Sequence, residues 1–470
     1  MGESPVRRTS PLVLAVALTI LAAATRIYHL GQPSFWLDEA STIGDVSHPW
    51  GAIHRTVTGS PPLFFYLVKL VYSVVGRNDF WLRALPAFFG ILTIPLFFHV
   101  LRKHLAEPAA FVGALFLCLS PIHIAYSQEL RMYSLAAMEA LLATHFFIKA
   151  QATGSRRAWW GCAAWMIAGL YTHYWFLFLV AGFGIVFAGS CYAKGRSDRN
   201  GWEAFLITGL ALAPWIPRAL RQHQPAFDVL TAPAAGELLQ TFYALAGLRV
   251  TVGDTTLQMP PLAMAVFALA TVALLILGLW RTGQRRSYVL SFFVVGCGLP
   301  LLIAFLESQW FKPVFLASRY PVMLSAAFLA PMAGAMTVDR RPWRTVAWGL
   351  AALWLAGSAC LLPVYYRGFY KGDWKQAGRI VRDRGRGGDA VWLGALGYDG
   401  IAADYYIPAE IPRLADLQGA DDTHGRIFIP MYRRAGRPEA LSLGPRLSAR
   451  WRVARIDSFR EISVVELDRR

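Results

Sequence analysis

Charged residues are scarce in this 470-residue sequence: they make up only 16% of it, whereas 56% of the residues are hydrophobic and 14% are aromatic. This composition excludes an ordinary soluble globular domain and predicts a chain that crosses a membrane many times. Cysteine is scarce as well, since the five cysteines all lie in apolar runs without a Cys-x-x-Cys pair. Their spacing supports neither a disulfide framework nor a zinc site.

The sequence also lacks a Gly-x-Gly-x-x-Gly or Walker-type glycine loop, an internal repeat and a low-complexity tract. Without a phosphate-cradling loop, a site for a nucleotide-linked substrate is disfavoured. The formal net charge of +17 could indicate nucleic-acid binding, but no nucleic-acid-binding motif accompanies it. We therefore expect no nucleic-acid partner and look for another reason for the basic residues.

Eleven apolar segments are long enough to cross a bilayer, at roughly 17 to 25 residues each. They lie near 11–28, 84–101, 108–125, 133–150, 157–173, 174–193, 203–220, 259–280, 288–306, 318–337 and 344–363. The first resembles a signal peptide because Arg7 and Arg8 precede it, but the many spans that follow favour an uncleaved helix. The run Pro61 to Val75 is short and contains Lys69, so we expect it to lie at the membrane interface.

The basic residues are distributed unequally between the two membrane faces that this arrangement defines. The loops of one face hold 16 Lys or Arg in 44 residues, and the loops of the other hold 11 in 125. Because basic loops are retained in the cytoplasm, the first face, with the N-terminus, is predicted to be cytoplasmic. The C-terminal segment is then predicted to be periplasmic or extracellular.

A change in composition near residue 364 predicts two domains: 1–363 as the membrane domain and 364–470 as a small α/β domain on the outer face. The tail is rich in Gly, Arg and Asp and has short strand-like runs at 389–394, 426–431 and 462–467. The stretch 373–384 is predicted to be a helix that stops at the glycines that follow.

The polar residues of greatest interest fall on the predicted outer face. Asp38 and Glu39 follow the first span, directly after Phe35 and Trp36. The other candidates for a binding or catalytic site are Arg83, His123, Glu129, Arg131, Tyr133, Lys312, Arg319 and Tyr320. A carboxylate can take the proton of an acceptor hydroxyl, while cations bind a phosphate leaving group. A substrate with a long lipid tail would enter this site from the bilayer.

Several of these residues also have a simpler interpretation. Asp38 and Glu39 could begin a surface helix, Arg83 and Arg319 could extend to the membrane interface, and Glu129 could form a weak local ion pair with Arg131. A further acid, Glu139, lies inside the fourth span. We expect it to be hydrogen-bonded between helices rather than to relay protons. It is the occurrence of the other candidates on one face that favours a functional site.

Several stretches resemble a known family when they are taken in order: Phe35-Trp36-Leu37-Asp38-Glu39-Ala40, Ser60-Pro61-Pro62-Leu63, Arg83-Ala84-Leu85-Pro86, Ser120-Pro121-Ile122-His123, Ser127 to Tyr133, Pro214 to Pro217, Ser318-Arg319-Tyr320 and Gly372-Asp373-Trp374. They are similar to the polytopic glycosyltransferases of the GT-C superfamily. The likeness is to the bacterial family-39-like enzymes related to protein O-mannosyltransferases and lipid A aminoarabinose transferase.

The resemblance implies an all-α membrane fold, a GT-C bundle of about eleven transmembrane helices with interfacial helices in the first outer loop. It also implies a bacterial plasma-membrane location, Asp38 as catalytic base with Glu39 as its neighbour, Glu129 as a second acid, and Arg83 as a ligand of the lipid phosphate. One departure is Gly59-Ser60, which stands where the aminoarabinose enzymes have Glu-Lys. A cation such as Arg131, Lys312 or Arg319 would have to replace that lysine. Another departure is the 218–258 loop, which is too short for the insert domain of the protein mannosyltransferases.

The sequence thus predicts an inverting glycosyltransferase that moves a sugar from a polyprenyl phosphate to a hydroxyl of a lipid, glycan or protein on the non-cytoplasmic face. No cofactor is predicted, and no ligand spacing calls for a metal. A transporter or flippase of a lipid-linked glycan is the alternative, although it would be expected to have polar residues and broken helices at mid-membrane. A non-catalytic assembly scaffold is a third hypothesis.

Overall fold

The structure is a computed structural model, and it describes residues 10–57, 59–221, 232–252, 255–283, 288–311, 313–315, 317, 319–368, 371–417, 424–432, 445–459 and 461–470. The chain divides into two compact units. The first, which we call the membrane unit, consists of Met1–Leu30, His48–Val252 and Thr256–Gly368. The second, the C-terminal unit, consists of Gly31–Ser47, Gly253–Thr255 and Phe369–Arg470.

The α-helices of the described residues are α1 (Pro11–Ile27), α2 (Leu37–Ser47), α3 (Ile53–Thr56), α4 (Leu63–Val75), α5 (Asp79–Leu101), α6 (Glu107–Cys118), α7 (Pro121–Ser127), α8 (Tyr133–Thr153), α9 (Arg156–Thr172), α10 (Phe176–Lys194), α11 (Arg199–Leu212), α12 (Ile216–Arg221), α13 (Ala235–Leu245), α14 (Pro261–Gly283), α15 (Tyr288–Phe293), α16 (Leu299–Trp310), α17 (Ser325–Ala335), α18 (Arg341–Arg367), α19 (Trp374–Arg384), α20 (Gly400–Tyr406) and α21 (Pro445–Arg450). Short 3₁₀ segments are found at Trp50–Ala52, Ala213–Trp215, Tyr320–Leu324 and Gly394–Asp399, and a π-helical turn, Val294–Gly298, joins α15 to α16. The strands are β1 (Arg249–Val252), β2 (Thr255–Gln258), β3 (Ala390–Trp392), β4 (Arg413–Leu414), β5 (Arg426–Tyr432), β6 (Trp451–Phe459) and β7 (Ile462–Arg469).

Helices occupy all eleven segments that the sequence predicts as spans. Five helical stretches of the described residues are long and apolar enough to cross a membrane on their own: Asp79–Leu101, Phe176–Lys194, Pro261–Thr282, Tyr288–Trp310 and Arg341–Arg367. Helices α6 and α7 meet those criteria together and are bent by 56°. The bend falls at Ser120, whose extended backbone (φ −62°, ψ 116°) is the conformation that a following proline, here Pro121, favours.

Helix α8 is the central helix of the membrane unit, because residues on all of its sides are buried. It contacts α5 and α9 among other helices. Inside it, Glu139 accepts a hydrogen bond from the Thr172 hydroxyl of α9 at 3.0 Å. The predicted interhelical hydrogen bond of this acid is therefore confirmed.

The short apolar run of the first outer loop forms α4, whose 13 residues span only about 20 Å at 1.5 Å per residue. That is less than the thickness of a bilayer core. Phe64, Phe65 and Val68 are buried, whereas Leu70 and Val74 on the other side are exposed. Its length and its two unlike faces fit the interfacial helix that the sequence predicts.

The C-terminal unit contains a five-stranded mixed sheet in the order β4-β3-β5-β7-β6. Strand β3 is parallel to β4 and β5, and β7 is antiparallel to β5 and β6. Strands β3, β5 and β7 correspond to the three predicted runs, but β4 and β6 escaped prediction. The predicted small C-terminal α/β domain is confirmed as a fold element, and Ile427, Trp451 and Leu467 form part of its core.

The acidic segment of the first loop packs inside this C-terminal unit. Residues 31–47 belong to it by their contacts, and α2 packs against α20. The backbone N–H of Phe35 donates to the Tyr406 hydroxyl at 2.7 Å. The predicted helix after residue 373 is α19, which the Asp373 side chain caps by accepting from Gln376 N at 3.4 Å. The segment with the two predicted acids is thus held by residues more than 300 positions away.

Candidate active site

Asp38 and Glu39 lie in the first turn of α2 but have different surroundings. The Glu39 side chain is completely buried, whereas Asp38 is half-buried. The Glu39 carboxylate accepts from the backbone N–H of Trp36, which precedes the helix, at 3.4 Å. A glutamate three positions into a helix that reaches back in this way forms half of a capping box. Glu39 therefore stabilises the start of the helix that carries Asp38.

Glu39 also forms an ion pair with Lys371. The Lys371 Nζ donates to Glu39 Oε2 at 2.8 Å, and the side chains are 6% and 0% exposed, respectively. A buried carboxylate is costly unless it is paired and hydrogen-bonded, and Lys371 meets that requirement. Sequence reasoning missed Lys371. The one available signal was its position directly before Gly372-Asp373-Trp374, a stretch that carries part of the resemblance.

A second lysine of the C-terminal unit, Lys375, supports the segment before α2. Its backbone N–H donates to the Ser34 hydroxyl at 3.1 Å, and its ammonium group donates to the carbonyl oxygens of Gly31 and Gln32. The ring of Phe35 packs edge-on against that of Tyr405 at 5.2 Å. The backbone leading to Asp38 is therefore fixed by hydrogen bonds and ring packing.

In the membrane unit, Arg83 lies in the second turn of α5 and is 1% exposed. Its Nη1 donates to the carbonyl oxygen of Leu30 at 3.3 Å. Arginine remains protonated in proteins, so this residue places a permanent positive charge beside the chain that leaves α1. The sequence predicted a phosphate ligand here, and that role stays a prediction.

A buried arginine that the sequence analysis assigned no role, Arg26, holds the predicted site residue His123. Arg26 is 0% exposed in the last turn of α1, and it donates to the carbonyl oxygen of Cys118 at 3.0 Å and to His123 Nδ1 at 2.9 Å. Since a guanidinium only donates, Nδ1 must accept and the His123 proton resides on Nε2. The nearby Gln128 amide donates to the carbonyl oxygens of Arg26 and Tyr28. His123 is thereby fixed as a neutral ring at the bend between α6 and α7.

The residues that link α7 to α8 include two further predicted site residues. Glu129 is 1% exposed, and Arg131 is half-buried. The backbone N–H of Arg131 donates to the Glu129 carbonyl oxygen at 2.7 Å. This tight turn brings both side chains to the head of the central helix α8. Glu129 is therefore a buried acid in the membrane unit, apart in the sequence from the two acids of α2.

An aromatic cluster surrounds the start of α8. The Tyr133 ring lies 5.0 Å from that of Tyr126, 5.8 Å from that of His173 and 6.4 Å from that of Tyr320, and the His173 and Tyr320 rings are 4.8 Å apart. The structure thus brings together two predicted site residues, Tyr133 and Tyr320, from distant parts of the sequence. His173 packs as a member of this cluster, and its Nδ1 accepts from the backbone N–H of Trp175 at 3.1 Å.

Two predicted cations precede the 3₁₀ segment at Tyr320. Arg319 is partly exposed at the start of that segment. Lys312 lies outside the described residues, and its predicted role is left as a prediction. In the part of the chain that the structure describes, no group of three or more His, Cys, Asp or Glu side chains could hold a metal ion.

The fold that carries these residues is that of the GT-C glycosyltransferases, whose known members are multi-pass membrane proteins. The chain aligns with the crystal structure of ArnT from Cupriavidus metallidurans bound to undecaprenyl phosphate at 13% identity and a TM-score of 0.58, covering 97% of each chain. The apo state of the same protein gives 14% identity and a TM-score of 0.59, covering 97% of this chain and 98% of that one. The archaeal oligosaccharyltransferase of Archaeoglobus fulgidus gives 13% identity and a TM-score of 0.52, covering 89% of this chain and 66% of that one.

At the level of sequence, residues 59–217 match the family described as dolichyl-phosphate-mannose-protein mannosyltransferase. This segment begins just before α4 and ends in α12, so it includes Arg83, His123, Glu129, Arg131 and Tyr133. No curated protein matches the chain significantly in sequence. The resemblance to GT-C enzymes related to protein mannosyltransferases and aminoarabinose transferase is confirmed.

Proposed function

We propose that this protein is an inverting glycosyltransferase that moves a sugar from a polyprenyl-phosphate donor to a hydroxyl acceptor at the non-cytoplasmic face of a bacterial plasma membrane. The observation that carries the proposal is the difference in burial and pairing between the two adjacent acids of α2. Glu39 is buried in an ion pair with Lys371, and Asp38, its neighbour, is half-buried at the start of a helix whose position that ion pair fixes. A general base needs this combination of access and fixed position.

In the proposed reaction, the Asp38 carboxylate takes the proton of the acceptor hydroxyl. The acceptor oxygen attacks the anomeric carbon from the face opposite the phosphate, and a new C–O bond forms with inversion. The bond between that carbon and the phosphate oxygen breaks, and its electron pair stays on the departing phosphate. Cationic side chains stabilise the charge that develops on the phosphate, and Arg83, Arg131 and Arg319 are proposed for this role.

The donor class is supported by the fold. The ArnT structure, similar over nearly the whole length of both chains, has undecaprenyl phosphate bound, and the matched sequence family is described by a lipid-phosphate sugar donor. The aromatic cluster of Tyr126, Tyr133, His173 and Tyr320 supplies apolar faces that suit a sugar ring or a lipid chain. Glu129, buried at the head of α8, is proposed to orient the cations or the sugar rather than to accept the proton.

The proposal is tested with purified full-length protein reconstituted in vesicles, a panel of radiolabelled polyprenyl-phosphate sugars and a membrane extract as the acceptor source. Asp38→Asn should lower the turnover number by about 10²- to 10⁴-fold, which is the usual contribution of a general base. Donor affinity should change little, because the acid acts on the acceptor. Asp45→Asn, on the same helix and partly exposed, is the matched control and should retain turnover.

Near-normal turnover of a folded Asp38→Asn variant would show that another group is the base. If the folded wild-type protein transferred sugar from no donor, the transporter hypothesis would be favoured instead. A lipid-flipping assay in the same vesicles then distinguishes that function from a scaffold.

A further inference from the structure

The membrane unit contains a cavity of about 500 Å³, a size within the range of small-molecule sites. Four helix ends form it: the residues after α5, the end of α14, the start of α15 and the start of α18, together with the linker after α17. The α17 region begins at Tyr320, in the aromatic cluster of the candidate active site, and the cavity lies beyond its other end. The cavity is therefore a separate site at the membrane face that the sequence predicts to be cytoplasmic.

Two arginines give the cavity a positive charge. Arg281 donates through Nε to the Thr337 carbonyl oxygen at 3.2 Å and also forms an ion pair with Asp339. The Asp339 side chain is 78% exposed, and an ion pair in such a position contributes little energy, so Asp339 offsets the charge of Arg281 only weakly. Among the described residues Arg344 forms no salt bridge, although it lines the same cavity.

Ring stacking and a hydrogen bond hold another part of the cavity lining in place. The rings of His104 and Tyr288 are stacked with centroids 3.6 Å apart and an interplanar angle of 2°. The Tyr288 hydroxyl is hydrogen-bonded to His145 Nδ1 of the central helix α8 at 2.8 Å. These contacts fix the side of the cavity before any ligand binds, which lowers the entropic cost of binding.

Apolar side chains, including those of Leu105, Val289 and Met336, also line the cavity. A basic cavity between transmembrane helices, lined by both charged and apolar side chains, matches an amphiphile with a negative head and a hydrocarbon tail. Basic pockets of this kind at the cytoplasmic ends of transmembrane helices bind the head groups of anionic lipids. Two arginines and one exposed aspartate leave a net positive charge, which suits a phosphodiester with one negative charge.

We propose that this cavity binds the phosphodiester head group of an anionic membrane phospholipid, with Arg281 and Arg344 as the phosphate ligands. The site is independent of the sugar-transfer reaction. A lipid bound in this cavity would contact the ends of α14, α15 and α18. It would stabilise their packing at the membrane face opposite the candidate active site.

Native mass spectrometry of the full-length protein in detergent tests the proposal with phosphatidylglycerol, with phosphatidylcholine of the same acyl chains and with inorganic phosphate. We expect phosphatidylglycerol to bind about tenfold more tightly than phosphatidylcholine. Arg344→Gln should reduce that affinity by about tenfold or more, because it removes a charge-assisted hydrogen bond. The control is Arg157→Gln, an exposed cation of the same predicted face that does not line the cavity, and it should leave the affinity unchanged.

Equal binding of the two lipids would overturn the proposal, as would an equal loss of affinity in Arg344→Gln and Arg157→Gln, which would indicate general charge attraction. Displacement of phosphatidylglycerol by millimolar inorganic phosphate would assign the site to free phosphate instead of a lipid. Because Arg281 also contacts Thr337 and Asp339, Arg281→Gln is accepted as evidence only if its circular dichroism spectrum and its binding of phosphatidylcholine match those of the wild type.

Discussion

The ion pair between Glu39 and Lys371 leads to the sharpest prediction about this protein. Replacing Lys371 with methionine keeps most of the volume of the side chain but removes its charge. Glu39, whose side chain is 0% exposed, then loses the ammonium group with which it is paired. The helix α2 should lose stability, because the chain must either bury the Glu39 carboxylate without its lysine or open to admit water.

The magnitude follows from the burial of both partners. Removing one member of a buried ion pair costs about 3 to 5 kcal/mol, whereas an exposed pair contributes about 1 kcal/mol or less. The distance of 2.8 Å and side-chain exposures of 6% and 0% place this pair in the buried class. A loss of about 3 kcal/mol corresponds to a local opening constant more than a hundredfold larger.

Hydrogen exchange is the appropriate assay, because it reports local opening where the unfolding of a large membrane protein would not be two-state. In Lys371→Met, the backbone amides of residues 37–47 should exchange more than about a hundredfold faster than in the wild type. Lys375→Met is the matched control. Its ammonium group donates to two backbone carbonyl oxygens and lies 6.0 Å from the centroid of the Tyr406 ring. These are contacts with neutral groups, so the effect should be nearer tenfold.

A double-mutant cycle isolates the pair from other effects of the substitution. In Glu39→Gln/Lys371→Met neither charge remains, so the double variant should be more stable than the sum of the single losses predicts, by about 2 kcal/mol or more. If the losses instead added, or if Lys371→Met changed exchange no more than Lys375→Met did, the pair would not hold α2 and the reasoning would fail.

Two further predictions concern packing and pH. A Cβ on Gly278 would lie 1.8 Å from the Pro331 carbonyl oxygen, so Gly278→Ala should lower the thermal unfolding temperature. The control is Gly189→Ala, whose added Cβ would meet no atom within 4 Å. It should leave the unfolding temperature unchanged or raise it. In the C-terminal unit, the hydrogen bond from Arg384 lowers the pKa of Asp457. The ionised Asp457 carboxylate therefore stabilises the folded state at pH values above its unfolded pKa of about 3.9. This stabilisation is lost as the pH falls through the lower pKa of the folded state. Between pH 5 and pH 2 the unfolding temperature of the wild type should therefore fall more steeply than that of Arg384→Gln, and parallel curves would contradict this role.

Much of the fold could be predicted from local patterns. Apolar length alone located the helices that are predicted to be spans. The prediction that α4 does not span rested on its short length and on the charge balance of the loops. Strands β5 and β7 were visible as apolar runs in a polar tail. Strand β6 was missed because it reads Trp-Arg-Val-Ala-Arg-Ile-Asp-Ser-Phe, and its second to fifth residues are all exposed. Charges on an edge strand hide the alternation on which strand prediction depends.

The partners of the candidate site could not be predicted, because they come from distant positions. Lys371 is 332 residues from Glu39, and Arg26 is 97 residues from His123. Arg26 sits where a span ends, and the sequence gives no sign of whether such a residue points to water or into the protein. Burial decides this, and burial depends on the packing of α1 against α5, α6 and α7.

The two acids of α2 show why a motif alone does not assign roles. Successive residues on an α-helix point about 100° apart, so Asp38 and Glu39 cannot have the same surroundings in a packed unit. The residue that faces the interior must have its charge compensated by a fixed partner, and Lys371 compensates Glu39. A carboxylate held in that way is a poor acceptor for a substrate proton, because its charge is already stabilised by the lysine. The same lysine fixes the helix start from which Asp38 projects. If Asp38 is the base, the buried ion pair is what keeps that base in place.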